Sequence, residues 1–143
     1  MPSATFSHTV TVDATSDRAW AVLLDPTTWE RIGPVSNVTN PTFHGDGTLK
    51  TFDWVADVGG KKYDGEARSG AYTVNERFTM TLDTSEIAGD IVATITPGNP
   101  STDVTVEITF RTKGMLSAMF FPAIKQALAS GFPNQVEDLA SGI

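Results

Sequence analysis

Cysteine is absent from this 143-residue sequence, which removes disulfides, thiolate nucleophiles and sulfur ligands for metals at one stroke. Histidine is scarce: His8 and His44 are the two, with neither an HxH nor an HxxxH spacing between them. No metal site is therefore expected. Basic residues are also few. Ten Lys and Arg stand against 17 Asp and Glu, for a formal net charge of −7 and a pI near 4.6. The densest basic pair is Lys61-Lys62. Such a surface repels phosphate backbones and anionic bilayers, so no nucleic-acid partner is expected. No glycine-rich phosphate loop and no G-x-S-x-G elbow occurs, which leaves nucleotide cofactors unsupported; none is expected. Long hydrophobic runs are missing too. The longest, MLSAMFFPAI (115–124), is too short to span a bilayer and contains a proline, so the chain is not expected to be an integral membrane protein. The N-terminus MPSATFSHTV has neither a basic region nor an apolar one. A cytoplasmic protein is the expectation.

What is present is an ordinary globular composition, 40% hydrophobic and 19% charged, in a length that suits one domain over 1–143. The segment ATFSHTVTVDA (4–14) alternates with period two. Phe6, His8, Val10 and Val12 share one face, and Thr5, Ser7, Thr9 and Thr11 the other, which predicts a half-buried strand. Ser16 then reads as a helix N-cap, with Asp17 favourably placed in the first turn. Trp20, Leu23 and Leu24 fall on one helical face. Pro26 stops that helix and suits the first position of another, Thr27 to Ile32, which Gly33-Pro34 ends. A short helix, a break, and a tryptophan on each side of the break are an unusual thing to build.

Strand patterns follow. Val35 to His44 leads into the Asp-Gly turn at 44–47, a hairpin signal. Thr48 to Val58 places Phe52, Trp54 and Ala56 on one face. Gly59-Gly60 turns the chain into Lys61 to Gly70 and Ala71 to Val74. Arg77 to Thr84 carries Phe78, Met80 and Leu82 inward. Asp90 to Thr96 is a further strand, PGNPSTD (97–103) a polar turn, and Val104 to Phe110 the clearest alternation. Short turns predict antiparallel neighbours. From Met115 to Leu139 the apolar residues Leu116, Phe120, Ile124, Leu128, Phe132, Val136 and Leu139 recur every three or four positions, which predicts a helix that Pro122 and Pro133 kink or divide. The fold class is thus α+β: about seven antiparallel strands in a curved sheet wrapped around a long C-terminal helix, with two short helices after the first strand filling the open end. The edge strands leave a homodimer open.

VTVDATSDRAWAVLLDPTTWERIGP resembles the opening motif of the START-like superfamily with the helix-grip fold, on Asp13-Ala14, Trp20, Asp25-Pro26 and Trp29. FRTKGMLSAMFFPAIKQALASGF is similar to that superfamily's closing strand, turn and proline-bearing grip helix. Its members include pollen-allergen-type proteins, polyketide cyclase/dehydratase and lipid-transport proteins, and aromatase/cyclases. The resemblance implies a cavity between sheet and long helix that takes a hydrophobic or aromatic small molecule, lipid or polyketide-like. Trp54, Phe78, Met80 and Phe110 on mid-sheet strands, with Met119, Phe120 and Ile124 on the helix and Tyr63, are then the wall, and Trp29 stands at the mouth, either as a gate or as a plain core cap. The resemblance also allows a cyclase or dehydratase in the same cavity. His8 and Tyr63 are the candidate acid/base pair for it, although His8 reads more simply as a core histidine, and His44 as an exposed turn residue. Glu66 and Arg68 face solvent unless a bulge at Gly65 reverses their strand; reversed, they would enter the cavity. Whether any reaction is catalysed stays open at this point.

Overall fold

A computed structural model of the chain describes residues 3–33, 35–58, 60–98 and 101–143. The strands are β1 (Ser3–Val12), β2 (Ser36–Phe43), β3 (Leu49–Val58), β4 (Lys61–Thr73), β5 (Arg77–Asp83), β6 (Ile87–Pro97) and β7 (Thr102–Thr112). The helices are α1 (Ser16–Leu23), a 3₁₀ helix (Pro26–Arg31) and α2 (Met115–Ser141). One antiparallel sheet runs in the order β1-β7-β6-β5-β4-β3-β2. Every consecutive pair from β2 to β7 is hairpin-connected, whereas β1 crosses to pair with β7. The predicted turn residues Gly59, Asn99 and Pro100, and the helix-ending Pro34, lie outside the described residues.

The period-two pattern decides the register. On β1 the odd residues Thr5, Thr9 and Thr11 face outward, and their hydroxyls reach Thr109 (3.0 Å), Thr105 (2.7 Å) and Asp103 (2.6 Å) across the β1–β7 pair. That polar ladder fixes which face is inner, because a one-residue slip would carry Phe6, Val10 and Val12 into water. The inner face is then continuous: Phe52, Trp54, Phe78, Met80, Leu82, Ile91, Val104, Val106, Ile108 and Phe110 are all buried. At the far edge, Asn37 and Asn40 adopt φ of 49° and 52°, and the β2–β3 register breaks three times. Left-handed asparagines and Pro41 blunt that edge against further pairing.

Four boundaries differ from the sequence expectation. The cap of α1 is Thr15, not Ser16; its hydroxyl accepts from the Arg18 N–H at 3.4 Å. The strand around 90–96 starts earlier, at Ile87, because Ile87, Ala88 and Gly89 find backbone partners in Thr112, Arg111 and Phe110. Ala and Gly carry little strand propensity, so pairing and not side chains defines that end. Residues 61–73 form one strand with a bulge, Gly70 and Ala71 lying opposite Thr79 alone. Finally, α2 is continuous through Pro122 and Pro133. Each proline still withholds the N–H that Ala118 and Ala129 carbonyls would otherwise accept.

The broken helix at 16–31 has a definite purpose in packing. Asp25 stops α1 and caps the 3₁₀ helix, its carboxylate accepting from the Thr27 N–H (3.0 Å) and hydroxyl (2.8 Å). The break turns the two tryptophans onto one residue. Trp20 meets Phe78 edge-on at 6.1 Å and 80°, and Trp29 stacks on it at 6.1 Å and 24°. Trp29 Nε1 donates to the Leu23 carbonyl at 2.9 Å, which pairs a donor that would otherwise be buried alone. A single straight helix has no way to present both rings to Phe78. Gly33 ends this region at φ +58°, where a Cβ would stand 2.8 Å from Ile108 Cδ1. Its N–H donates to Gln135 Oε1 of α2 at 2.9 Å.

Candidate functional site

Two ends of the inner face are built differently. Under α1 and the 3₁₀ helix the rings of Trp20, Trp29 and Phe78 close the core, joined by the C-terminal half of α2 through Leu128, Phe132, Val136 and Leu139. Phe132 lies 6.5 Å from Phe6 of β1. At the other end the cover is the N-terminal half of α2, and it sits loosely. Ser117 is buried there, but Leu116, Phe120, Phe121 and Ile124 are half-exposed, and Met115 and Met119 are 88% and 71% exposed. The first turn of this half is nonetheless tied down. The Glu86 carbonyl accepts from the Lys113 N–H (2.7 Å) and the Ser117 hydroxyl (2.6 Å), and Glu86 Oε1 accepts from the Ser117 N–H (2.9 Å). The loosely seated stretch is therefore held at both ends, near Ser117 and from Leu128 onward.

On the inner face near it, the sheet leaves a narrow apolar recess, a gap in which a water-sized sphere does not fit. Trp54, Leu82, Ile87, Ile108 and Phe110 line it. Phe121 of α2 stacks on Phe110 with centroids 5.9 Å apart and planes 2° from parallel. Opposite Trp54 stands its cross-strand partner Gly65. A Cβ on Gly65 would lie 2.5 Å from Trp54 Cε2 and 2.8 Å from Thr84 Cγ2, so the indole occupies the volume a side chain would take. The shape is that of a cavity closed on itself: apolar walls, a helix resting on them, and little space left over.

The sequence candidates distribute unevenly over this arrangement. Trp54 and Phe110 line the gap, and Met80 is buried on neighbouring β5. Phe120 and Ile124 pack on the core from α2 while half-exposed. Phe78 is buried at the opposite end, between the two tryptophans. Trp29 is fully buried, its indole N–H donating to the Leu23 carbonyl. Met119 points to solvent with Met115, one turn away on the same side of α2, and forms no part of the wall. Tyr63 is half-buried beneath the Lys61 ammonium, 5.5 Å from its ring centroid. His8 faces α2 with Nε2 3.9 Å from Glu137 Oε1. His8 is on β1 and Tyr63 on β4, with β7, β6 and β5 between them in the sheet, so the order of strands does not make them neighbours. The bulge of β4 falls at 70–71 and not at Gly65. Glu66 and Arg68 therefore stay outside, exposed and paired with each other at 2.8 Å.

One polar network escaped the sequence reading. At the β2–β3 hairpin, Tyr72 Oη donates to Asp46 Oδ2 at 2.7 Å, and the Thr48 N–H donates to Asp46 Oδ1 at 2.9 Å. His44 Nε2 lies 3.2 Å from the Ser69 hydroxyl, and its ring is 5.7 Å from that of Tyr72. The backbone N–H of Thr48, then the Tyr72 hydroxyl, hold the Asp46 carboxyl down to about 2, and the same bond to Asp46 raises the Tyr72 phenol. The Asp-Gly turn signalled the hairpin; nothing in sequence signalled Tyr72, 26 positions on. Tyr72 also touches Trp20, centroids 6.4 Å apart, so this network belongs to the closed end. Two further clefts are open and acidic. One holds about 490 Å³ of water-accessible space beside Asp25, Glu30 and Asp138. The other, about 390 Å³, lies by Asp53 and Asp64 where β2 and β3 lose register. Among the described residues no group of three or more His, Asp or Glu is placed to hold a metal ion, and no helix is long and apolar enough to cross a membrane.

A curved seven-stranded antiparallel sheet clasping a long terminal helix, with short helices after the first strand, is the helix-grip fold of START-like proteins. The aromatase/cyclase Zhui of a Streptomyces species superposes with a TM-score of 0.69 at 18% identity, over 98% of this chain and 94% of that one. A START superfamily protein of Mycobacterium smegmatis gives 0.63 at 17% identity, over 94% and 98%. A protein of Thermus thermophilus gives 0.69 at 12% identity, over 97% and 96%. At these identities the likeness speaks for the fold. No curated protein matches the sequence. The chain belongs to the polyketide cyclase/dehydrase and lipid transport family, whose model matches residues 3–141.

Proposed function

We propose that this protein binds a hydrophobic or aromatic small molecule, of lipid or polyketide-like character, between the sheet and the N-terminal half of α2. One observation carries the reading: Phe110, on the wall of an apolar recess of the sheet, is covered by Phe121 from a stretch of α2 whose apolar residues are at most half-buried. Opening that cover lets a ligand bury its own surface against Trp54, Ile108 and Phe110, with about 0.8 kcal/mol gained per methylene removed from water. Phe120, Phe121 and Ile124 close over the ligand, and the helical hydrogen bond missing at Pro122 loosens α2 within this cover. The family's twin activities, ring closure with dehydration and lipid carriage, both begin with this binding step. A reaction in the gap would need an acid/base group there, and its walls supply Trp, Leu, Ile, Ala, Gly and Phe. That favours carriage over catalysis.

The test is a titration with the neutral dye Nile red, read by fluorescence. Saturable one-to-one binding is expected. Phe121→Ala should change Kd by roughly fivefold, about 1 kcal/mol, while Met119→Ala leaves it unchanged. Absence of saturable binding, or equal effects of the two substitutions, would sink the reading.

A further inference from the structure

The walls of the gap are apolar except for one indole N–H, and a buried hydroxyl lies just beyond the lining residue Ile87. Trp54 is 1% exposed, and its Nε1–H has no hydrogen-bond partner among the described residues. Thr112 is also 1% exposed, and its hydroxyl is likewise unpartnered. Both side chains project from the inner face: Trp54 alternates with Phe52 and Ala56 on β3, and Thr112 with Phe110 and Ile108 on β7. Ile87 connects them, since it lines the gap beside Trp54 and is the cross-strand partner of Thr112. A third polar group nearby is satisfied. Thr84, whose methyl flanks the same Gly65 position as the indole, accepts from the N–H groups of Glu86 and Ile87 and donates to the Ile87 carbonyl. Buried donors are rarely left alone in a folded protein, and an unmade bond in a dry site costs more than a made one gains. Two of them, one on the wall of the gap and one across the strand from a wall residue, call for an acceptor that arrives with the ligand.

We propose that Trp54 Nε1–H and the Thr112 hydroxyl anchor the ligand of this gap, and that the ligand is an uncharged molecule presenting a carbonyl or comparable oxygen acceptor to them. This rests on the binding reading above and narrows its substrate class. The charge argument comes from the cations. Every lysine and arginine whose side chain is described is exposed, except half-buried Arg111, which is bonded to Asp90 at 2.9 Å. Lys113, whose ammonium reaches the Thr84 carbonyl at 2.9 Å, is already paired with Asp83 at 2.7 Å, so a ligand carboxylate would find no free cation there, and an unpaired buried anion is strongly disfavoured. The anchor thus selects a ketone, lactone, ester or quinone oxygen over the head of a fatty acid.

Three probes of one shape separate these statements: acetylnaphthalene, with a neutral acceptor; isopropylnaphthalene, with none; and naphthoate, with an anion. Proton–nitrogen NMR of the whole protein follows inner-face amides and the Trp54 indole proton. The ketone should bind about tenfold tighter than the hydrocarbon, as one buried hydrogen bond allows, with naphthoate the weakest of the three. The indole proton should move downfield with the ketone and not with the hydrocarbon. Thr112→Val keeps the shape but removes the hydroxyl and should erode the ketone's advantage while hydrocarbon binding, and so the fold, persists; Trp54→Phe removes the donor together with part of a wall ring, so both affinities fall and the ketone-to-hydrocarbon ratio should shrink. Equal affinities for ketone and hydrocarbon, naphthoate as the tightest probe, or an undiminished ketone advantage in both variants would overturn the anchor while leaving the cavity standing. If none of the three perturbs the inner face, the binding reading fails and the anchor with it.

Discussion

The two ends of the inner face use similar residues to opposite effect. At one end Trp20, Trp29, Phe78 and Phe132 are buried, and several polar groups around them are bonded: the Trp29 indole to Leu23, the Gly33 N–H to Gln135, Tyr72 to Asp46, although His8 Nε2, facing Glu137 of α2, is buried without a hydrogen-bond partner. At the other, Phe120, Phe121 and Ile124 rest half-exposed on the core, Phe121 against Phe110, and the Trp54 indole is bonded to nothing described. The difference is not one of hydrophobicity. MLSAMFFPAI (115–124) contains no charged residue at all, while the well-buried stretch after Leu128 includes Glu137 and Asp138. What seats a helix is the surface opposite it. The C-terminal half of α2 meets β1 and the 3₁₀ region as a complementary partner, and the N-terminal half meets a gap.

Three measurements probe that contrast, the largest effect first. Phe132→Ala removes a fully buried ring from the closed end and should cost about 3–5 kcal/mol of unfolding free energy, whereas Phe120→Ala at the loose end should cost about 1 kcal/mol. Chemical denaturation reads both; similar losses would mean the two ends are packed alike. Hydrogen exchange tests the same contrast without mutation. Amides of 119–127 should exchange at least roughly tenfold faster than those of 129–139 apart from Pro133, since few buried apolar contacts protect them. Matching protection would contradict a movable cover. The smallest effect concerns the hairpin at the closed end. With the Asp46 carboxyl lowered from 3.8 to about 2, its bonds to Thr48 and Tyr72 stabilise the folded state fully above pH about 4. That contribution fades as pH falls from about 4 towards 2, because the unfolded chain takes up the proton first. The Thr48 amide shift should therefore titrate near 2, and a midpoint near 3.8 would show that these bonds are not kept in solution.

Much of the fold can be read from pattern because strands with one wet face must alternate. β1, β3, β5 and β7 follow the alternation of their residues, and the Asp-Gly turn places the β2–β3 hairpin. Pattern fails where backbone pairing or packing decides instead. Ile87-Ala88-Gly89 has no side-chain signature of a strand and becomes one by pairing with β7. The bulge of β4 depends on Thr79, whose hydroxyl donates to the Ala71 carbonyl at 2.7 Å, a contact between residues of different strands. The site was harder still. Helical spacing marked Phe120 and Ile124 correctly as facing the sheet, but size and softness, not angle, suggested Met119, which points away. Trp29 was ambiguous in sequence because gate and core cap use the same residue; the bond of its indole to Leu23 had no signal in the pattern. The unpartnered Thr112 had no signal of its own, being one threonine among many on β7.

The pairing of β1 with β7 also sets a schedule. Ser3 lies opposite Arg111, and Phe6 packs on Phe132, so the first strand to be made finds its partners among the last residues of the sheet and in the helix beyond. On a ribosome adding about 5–20 residues per second, β1 waits on the order of 5–20 seconds with its apolar side uncovered. The five strands β2 to β6 can zip locally in the meantime, each to its sequence neighbour. Closure of the sheet onto α2 depends on contacts of long sequence separation, the kind that form slowly. Until it happens the chain shows a hydrophobic edge and face to its surroundings, and a nascent-chain chaperone has the most to cover in that interval.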